Sequence, residues 1–521
     1  MQRYFRNVFS QNQGACHFLS TCEANLRVSL PAFERIAPSG PPSCFRRTVE
    51  LMLRNVLLGL WLLLVSQAAW AQAPMALIGG GRVDFMPHSW SEDTCRWIVK
   101  QAGAGRILIL TTVSLNEELP RYFIQMGADS AALLEIPARY RADAPEVYEA
   151  IQAADGLVIS DGQLWKMIST WSGTRTESAI RDHVRAGKVL AGFGTGAMLM
   201  GSIIPDRRQG TLFATEALRL STSPMLGFTE DFLQLLPGVM IESSFLRDGR
   251  LPPLLLEMAT WQAEHLIGQL LGMGIDERTA LLIDASGTAT VLGEGAVSIL
   301  IPNASSVIRL DPRTPPIFTN LELEMFTEGF VFDLPRRELI AAPPTAVPAF
   351  PDFPAAPFGW RTIDGSSEDA AGLGHTWVNQ ETHEHLALQL GLLHEMAGSA
   401  EIPGTAIMPL AFERSELWEN RVGAVFWALA RRPGLVGLIL DRGGKAELDP
   451  TGVVTPLPMT GQPSMIVVDS SRAITRDFSH WKSWPDSVGL RQSVGIIGLR
   501  LHLLASRWGV RLSTGDIVTA P

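Results

Sequence analysis

Lys188–Phe193 (KVLAGF) reads as a buried strand that runs into Gly194-Thr195-Gly196-Ala197 and then a helix-like Met198–Ile204 (MLMGSII). A sharp turn of that kind lifts one side chain above a sheet while flanking glycines relieve crowding, the setting of a nucleophile elbow for acyl transfer. In the Gly-x-Ser-x-Gly arrangement the nucleophile stands at the centre. In Gly192-Phe193-Gly194-Thr195-Gly196 the centre is glycine, which has no atom that can attack a carbonyl. Thr195 carries a hydroxyl, but one position later, where the backbone N–H is the group an elbow uses. A glycine-rich turn serves equally well to pack a helix close to a strand.

Other residues could carry chemistry. Ser243, Ser244 and Glu242 cluster in sequence, and Asp276-Glu277 pairs two carboxylates that either act on a substrate or hold a turn. Four of the ten histidines (His375, His383, His385 and His394) fall within twenty residues. His383 and His385 would point to different sides of a helix and no cysteine assists, so a solvated face is expected and no metal site. His183 and His265 sit on helix-like stretches with nothing to bring them to the elbow, so structural or solvent-facing roles are expected. Gly79-Gly80-Gly81 lacks the spacing and lysine of a nucleotide loop, so no cofactor is expected.

The elements that must position these groups alternate. Ala76–Ile78, Arg106–Thr111, Ala132–Ile136, Gly156–Ser160 and Lys188–Phe193 are short apolar runs, each separated from the next by a helix-like stretch such as Ser91–Gln101. That pattern predicts an α/β fold with a mostly parallel sheet covered by helices on both faces. Working residues then gather at the carboxyl ends of the strands. Three such ends are Gly79-Gly80-Gly81, Asp161-Gly162-Gln163 and Gly192–Ala197.

Residues 75–338 resemble the cyanophycinase-type serine peptidases, which have a glutamine-amidotransferase-like three-layer fold. The resemblance rests on Ile78-Gly79-Gly80-Gly81 and on Asp161-Gly162-Gln163 against a Gly-Gly-Asp/Asn-Gln turn. It also rests on the elbow, on the intact Gly274-Ile275-Asp276-Glu277-Arg278-Thr279-Ala280 segment, and on Phe332-Asp333-Leu334. It implies a Ser-His-Glu triad. The serine falls on Gly194, and the histidine of an Asp-Gln-His-Phe segment falls on Ser244; Glu277 keeps the acid. An Arg-Gly-Arg run becomes Asp248-Gly249-Arg250. The resemblance further implies that Gly80, Gly81, Gly162, Gln163, Thr195, Glu242 and Arg250 line the site. With nucleophile and base both replaced, the covalent route is lost. A pseudoenzyme that binds a peptide or acidic polymer is expected, either as a homodimer or paired with an active paralogue. The alternatives are a hydrolase that uses Thr195, Ser243 or Ser244 as nucleophile, and a structural component of the envelope.

The 521 residues are 46% hydrophobic and 18% charged, too apolar for disorder, and their net charge of −10 argues against nucleic-acid binding. Residues 1–71 read as an N-terminal extension and signal peptide. Arg46, Arg47 and Arg54 precede the apolar run Val56–Val65, and Ala69-Trp70-Ala71 gives a small-x-small cleavage pattern. Translation is expected to start at Met52, and the mature chain to be exported, periplasmic or extracellular, with no stable membrane span. Cys95 is then the sole remaining cysteine, so no intrachain disulfide forms. Residues 72–338 form the cyanophycinase-like domain. A proline-rich linker follows at 339–360, and 361–521 reads as a C-terminal α/β region with the look of a degenerate repeat. There, Glu381–Met396 and Ser415–Arg432 look helical, while Leu435–Leu440 and Met465–Asp469 look like strands.

Overall fold

The computed structural model describes residues 73–85, 89–265, 270–334, 338–341, 360–374, 376–379, 394–412, 421–459, 461–483 and 490–519. Its first half alternates strand and helix: β1 (Met75–Ile78), α1 (Trp90–Gln101), β2 (Arg106–Thr111), β3 (Ser130–Glu135), β4 (Gly156–Ile159), α2 (Leu164–Trp171), α3 (Arg175–Arg185) and β5 (Val189–Phe193). The order β1-β5-β4-β2-β3 is parallel throughout. Side chains alternate across this sheet, and both faces are covered. Leu77 packs with Leu108, Leu157 and Leu190 under Trp171 and Ile180 of α2 and α3. Ile78 packs with Ile107, Val158 and Ala191 under Cys95 and Ile98 of α1. Each such leucine or isoleucine contributes roughly 1.5–3 kcal/mol by leaving water.

The chain continues as a one-turn helix α4 (Thr195–Met198), then β6 (Gly201–Pro205), β7 (Leu236–Ser243), α5 (Leu251–Glu264), β8 (Leu271–Ile275), β9 (Thr279–Ile283), β10 (Thr288–Gly293), β11 (Val297–Arg309), β12 (Ile317–Phe326), β13 (Val331–Asp333) and β14 (Glu338–Ala341). The first sheet gains β9, β10, β13 and β14 as antiparallel strands beside β1, so it is mixed and nine-stranded. The architecture has the α/β character the sequence implies.

A second, 13-stranded sheet takes β6, β7, β8, β11 and β12 and extends through β15 (Thr405–Met408), β16 (Val436–Ile439), β17 (Met465–Asp469) and β18 (Leu490–Leu504). β12 pairs with β18, from Phe318 with Leu503 to Phe326 with Gly495, so regions 72–338 and 361–521 share this sheet. Their side chains also share a core, in which Phe318 and Leu323 meet Leu501 and, from α6 (Val422–Arg431), Val425 and Phe426. A smaller five-stranded sheet is built from residues of 361–519.

Several expectations need correction. Met198–Ile204 is not a helix: α4 ends at Met198, and Gly201–Pro205 is a strand that pairs with β7. The β-branched Ile203 and Ile204, bounded by Gly201 and Pro205, suit an extended chain better than a helix. Glu338–Ala341, at the start of the expected linker, is a strand, and 342–359 lies outside the described residues. Met396 belongs to the strand His394–Ala397, not to a helix, and 380–393 is outside the described residues. Residues 1–72, with the expected signal, also lie outside them. Among the described residues no helix is long and apolar enough to cross a membrane.

Candidate functional site

The tail of β1 is a hub for the segments that could work together. Gly79 N–H donates to the Thr279 carbonyl (2.9 Å), and the Gly79 carbonyl accepts from Ser244 N–H (2.8 Å). Gly194 N–H donates to the Ile78 carbonyl (2.8 Å), and Arg278 N–H to the Gly80 carbonyl (2.9 Å). Gly80 is left-handed at φ +95°, and a Cβ there would stand 3.4 Å from Gly194 Cα and 3.5 Å from Ser244 Oγ. A Cβ on Gly81 would come within 2.6 Å of Glu277 Cγ. Gly194, Ser244 and Glu277 therefore converge on Gly80-Gly81.

The turn at Gly194 keeps the backbone of an elbow. Its φ of 54° and ψ of −117° are open to glycine and strained for any residue with a Cβ. The space above it is filled from within: a Cβ at Gly194 would lie 2.5 Å from Asp161 Oδ1 and 2.9 Å from Oδ2. Asp161 Oδ1 accepts from Thr195 N–H (3.0 Å), Gly162 N–H (2.9 Å) and Thr195 Oγ1 (2.8 Å). The Thr195 N–H is the donor that an acyl-transfer elbow turns toward a developing oxyanion. Here a side-chain carboxylate holds it, and the Thr195 hydroxyl is engaged by Asp161 and the Gly162 backbone.

The acid position is also satisfied internally. Glu277 is 8% exposed and forms an ion pair with Arg247. A guanidinium stays protonated and cannot act as a base. Ser244, at the histidine position, is left-handed (φ 49°) and donates its hydroxyl to the Gly79 carbonyl at 3.1 Å. Beside it, burial raises Asp248 to about 6 against the opposing charges of Arg247 and Arg250. Burial also raises Asp276 to about 7, although its oxygens accept from Leu246 and Ala296 N–H groups (2.9 Å each).

Two residues expected to line the site do not. Glu242 is fully buried, held by Arg207 Nη2 at 2.6 Å and Arg250 Nε at 3.1 Å, while Arg250 Nη1 donates to the Leu212 carbonyl at 2.6 Å. Burial opposes the charge on Glu242, but the two guanidiniums outweigh it and hold the carboxyl below its ordinary range. Burial and the Glu242 charge push neighbouring Glu257 up to about 8. This cluster belongs to the interior. Ser243 is buried too, its hydroxyl 3.5 Å from Met198 Sδ. Gly162 stays at the rim with exposed Gln163, which precedes α2.

The histidines with described side chains are elsewhere. His183 bonds the Val189 carbonyl (3.1 Å) at the end of β5 away from the elbow, and burial lowers it to about 4. His502, lowered by burial to about 3, accepts from Asn320 N–H (3.1 Å). His265 stacks on Trp261 with ring centroids 4.2 Å apart. His375, His383 and His385 lie outside the described residues, and His394 opens a strand. Among the described residues no group of three or more His, Cys, Asp or Glu is placed to hold a metal ion.

Asp161 and Arg247 are the site residues that motif reading passes over. With Gln163 set on the glutamine of the Gly-Gly-Asp/Asn-Gln turn, Asp161 falls on a glycine. A carboxylate replacing that glycine, together with a glycine replacing the serine, is the signal that was available.

Residues 113–240 match Peptidase family S51, a span that contains Asp161 and Gly194 and ends before Ser244. The cyanophycinase of Trichormus variabilis is 26% identical over 254 residues, covering 46% of this chain and 80% of that protein. The cyanophycinase of Synechococcus elongatus is 24% identical over 221 residues, covering 42% and 64%. The crystal structure of a peptidase from an acI-B1 actinobacterium aligns over 51% of this chain and 98% of its own, at 19% identity and a TM-score of 0.33. Over somewhat less than half of its length, this chain is cyanophycinase-like and resembles the serine peptidases of family S51.

Proposed function

We propose that this chain is an exported cyanophycinase-like protein that binds a peptide or acidic polymer at the elbow cleft and has lost serine-peptidase chemistry. One observation carries the reading: the Asp161 carboxylate occupies the space a nucleophile at Gly194 would need and takes the Thr195 N–H. Cleavage by an acyl-enzyme route needs a nucleophile, a base and donors for the oxyanion. Gly194 offers no nucleophile. Arg247, not an imidazole, faces Glu277. Even the residual rate that oxyanion donors alone can sustain, roughly 10³–10⁴-fold over water, is cut where a carboxylate already sits on the donor. The apolar run before Ala69-Trp70-Ala71 supports export.

The test uses the chain from Gln72 onward, incubated with dipeptides and with aspartate–arginine polymer across a range of pH. No turnover and no labelling by a serine-directed phosphonate are expected, together with saturable binding of a peptide or polymer. Trapping an acyl adduct on any side chain overturns the reading. A second reading has one contact in its favour, the 2.8 Å bond from the Thr195 hydroxyl to Asp161. Turnover that disappears in Thr195→Val would establish it in place of the first.

A further inference from the structure

We propose a second ligand site, built from elements other than the elbow, that takes a small organic anion. Three parts of the chain form it: the turn joining β11 to β12, residues 457–459 with 461–463 before β17, and the turn following β18. They border a half-open cavity of about 650 Å³, with the arginine side chains at its exposed rim, within the range of roughly 300–1,000 Å³ typical of small-molecule sites.

Its lining carries Arg309, Arg313 and Arg507 against the single carboxylate of Asp311. That is a local positive excess in a chain whose net charge is −10. Four arginines elsewhere in this protein hold buried acids: Arg207 and Arg250 hold Glu242, Arg219 holds Asp441, and Arg500 pairs with Asp469. Among the described residues none of the three cavity arginines has a carboxylate within ion-pair distance, Asp311 included. Two of them also sit at left-handed positions, Arg313 at φ 67° and Arg507 at φ 72°, where glycine or asparagine is the unstrained choice. Arg309 is placed by its guanidinium lying 5.5 Å from the ring centroid of Trp508, which also lines the cavity.

The walls are anchored. The Thr314 carbonyl accepts from both the N–H (2.9 Å) and the hydroxyl (2.8 Å) of buried Ser221, and the Pro316 carbonyl accepts from the hydroxyl of buried Ser464 (2.7 Å). A separate observation points to a bound partner. Gln462 lines the cavity and is only 6% exposed; its Nε2 donates to the Lys445 carbonyl at 2.6 Å, and its Oε1 is buried with no hydrogen-bond partner among the described residues. Turning the amide over would set Oε1 against a carbonyl, so the orphan is an acceptor that needs a donor. The ligand chemistry follows. A carboxylate or phosphate meets the guanidiniums, an adjacent N–H or O–H donates to Gln462, and the body of the molecule lies against Trp508 and the apolar side chains of Leu457 and Pro458.

The experiment is calorimetric titration of the full mature chain with three probes. Sulfate supplies an anion without a donor, glycerol phosphate a phosphate with hydroxyls, and N-acetylaspartate carboxylates with an N–H. Saturable one-to-one binding of at least one organic anion is expected, and the stronger of the two identifies the anionic group. Arg313→Gln and Arg507→Gln, each checked for unchanged thermal unfolding, should weaken it by about tenfold or more. Gln462→Met should weaken the organic probes and leave sulfate unchanged, while Thr195→Val at the elbow leaves all three unchanged. The proposal is overturned if no organic probe binds saturably, if the arginine variants bind as well as the parent, or if Thr195→Val abolishes binding. Failure of peptide binding at the elbow would leave these outcomes untouched, so the two readings fail separately.

Discussion

The elbow and the arginine-lined cavity handle charge in opposite ways. At the elbow, the oxyanion donor and the acid are both occupied by the protein: Asp161 takes the Thr195 N–H, and Arg247 takes Glu277. In the cavity, three guanidiniums have no acid among the described residues, and a buried acceptor has no donor. The first arrangement stabilises the fold and, on the function proposed above, leaves the elbow unreactive. The second contributes little to the fold and keeps affinity for something outside it. Polar groups that are satisfied internally are not free for chemistry, and unsatisfied ones can still hold a ligand.

That contrast can be broken most forcefully by pH, since the elbow region rests on carboxylates and the cavity on arginines that do not titrate. Burial raises Asp276 to about 7. A carboxyl with a raised folded pKa binds its proton more tightly when folded. Its contribution is therefore complete below the unfolded value near 4 and is lost as pH rises through about 7, on the order of 4 kcal/mol. Urea unfolding of the parent and of Asp276→Asn from about pH 4 to about pH 8 should show a falling difference, whereas anion binding at the cavity stays level. A parent that gains stability relative to the variant as pH rises sinks the assignment.

Restoring the nucleophile comes next in size. Gly194→Ser places a Cβ into the Asp161 carboxylate at a left-handed position, costing about 3 kcal/mol from crowding and backbone strain. Adding Asp161→Gly should recover the crowding part, so the two substitutions couple in a double-mutant cycle. Independent, additive effects would mean the carboxylate does not fill the elbow.

Much of this region was legible in the sequence because parallel strands buried on both faces read as unbroken apolar runs. β1, β2, β4 and β5 fall where those runs are, and the glycine turns after them mark the strand ends. What stayed hidden depends on the fold bringing distant residues together. Asp161 reaches Gly194 across 33 positions, and no local pattern announces that contact. Glu242 and Arg250 look like site residues in sequence, yet they pair below the surface, Glu242 from the end of β7 and Arg250 from the N-cap of α5. The pairing of β12 with β18 joins residues nearly two hundred positions apart, so residues 339–360 read as a linker between separate regions. The cavity arginines stay hidden for the same reason, since the two turns that carry them are remote in the chain.

A pair of neutralisations sharpens the comparison further. Arg247→Gln leaves Glu277, 8% exposed, without its guanidinium, at a cost of about 1–2 kcal/mol for a partly buried acid. Arg309→Gln in the cavity removes a charge with no acid beside it among the described residues and should change stability by less than about 0.5 kcal/mol. Denaturant midpoints of the two variants measure the difference. Equal losses would erase the distinction between a satisfied and an unsatisfied charge.

The smallest expected effect has the opposite sign. Arg313 sits at φ 67°, a conformation that costs a residue with a Cβ roughly 1–2 kcal/mol. Glycine removes that strain but gives the unfolded chain more freedom, which offsets about 0.5–1 kcal/mol of the gain. Arg313→Gly should therefore stabilise the protein by about 0.5 kcal/mol, seen as a small upward shift of the urea midpoint, while weakening anion binding. No comparable gain is available from Asp161 at the elbow, where three hydrogen bonds hold the side chain. If Arg313→Gly destabilises, the arginine is holding the turn together, and its left-handed backbone loses its meaning as a mark of ligand binding.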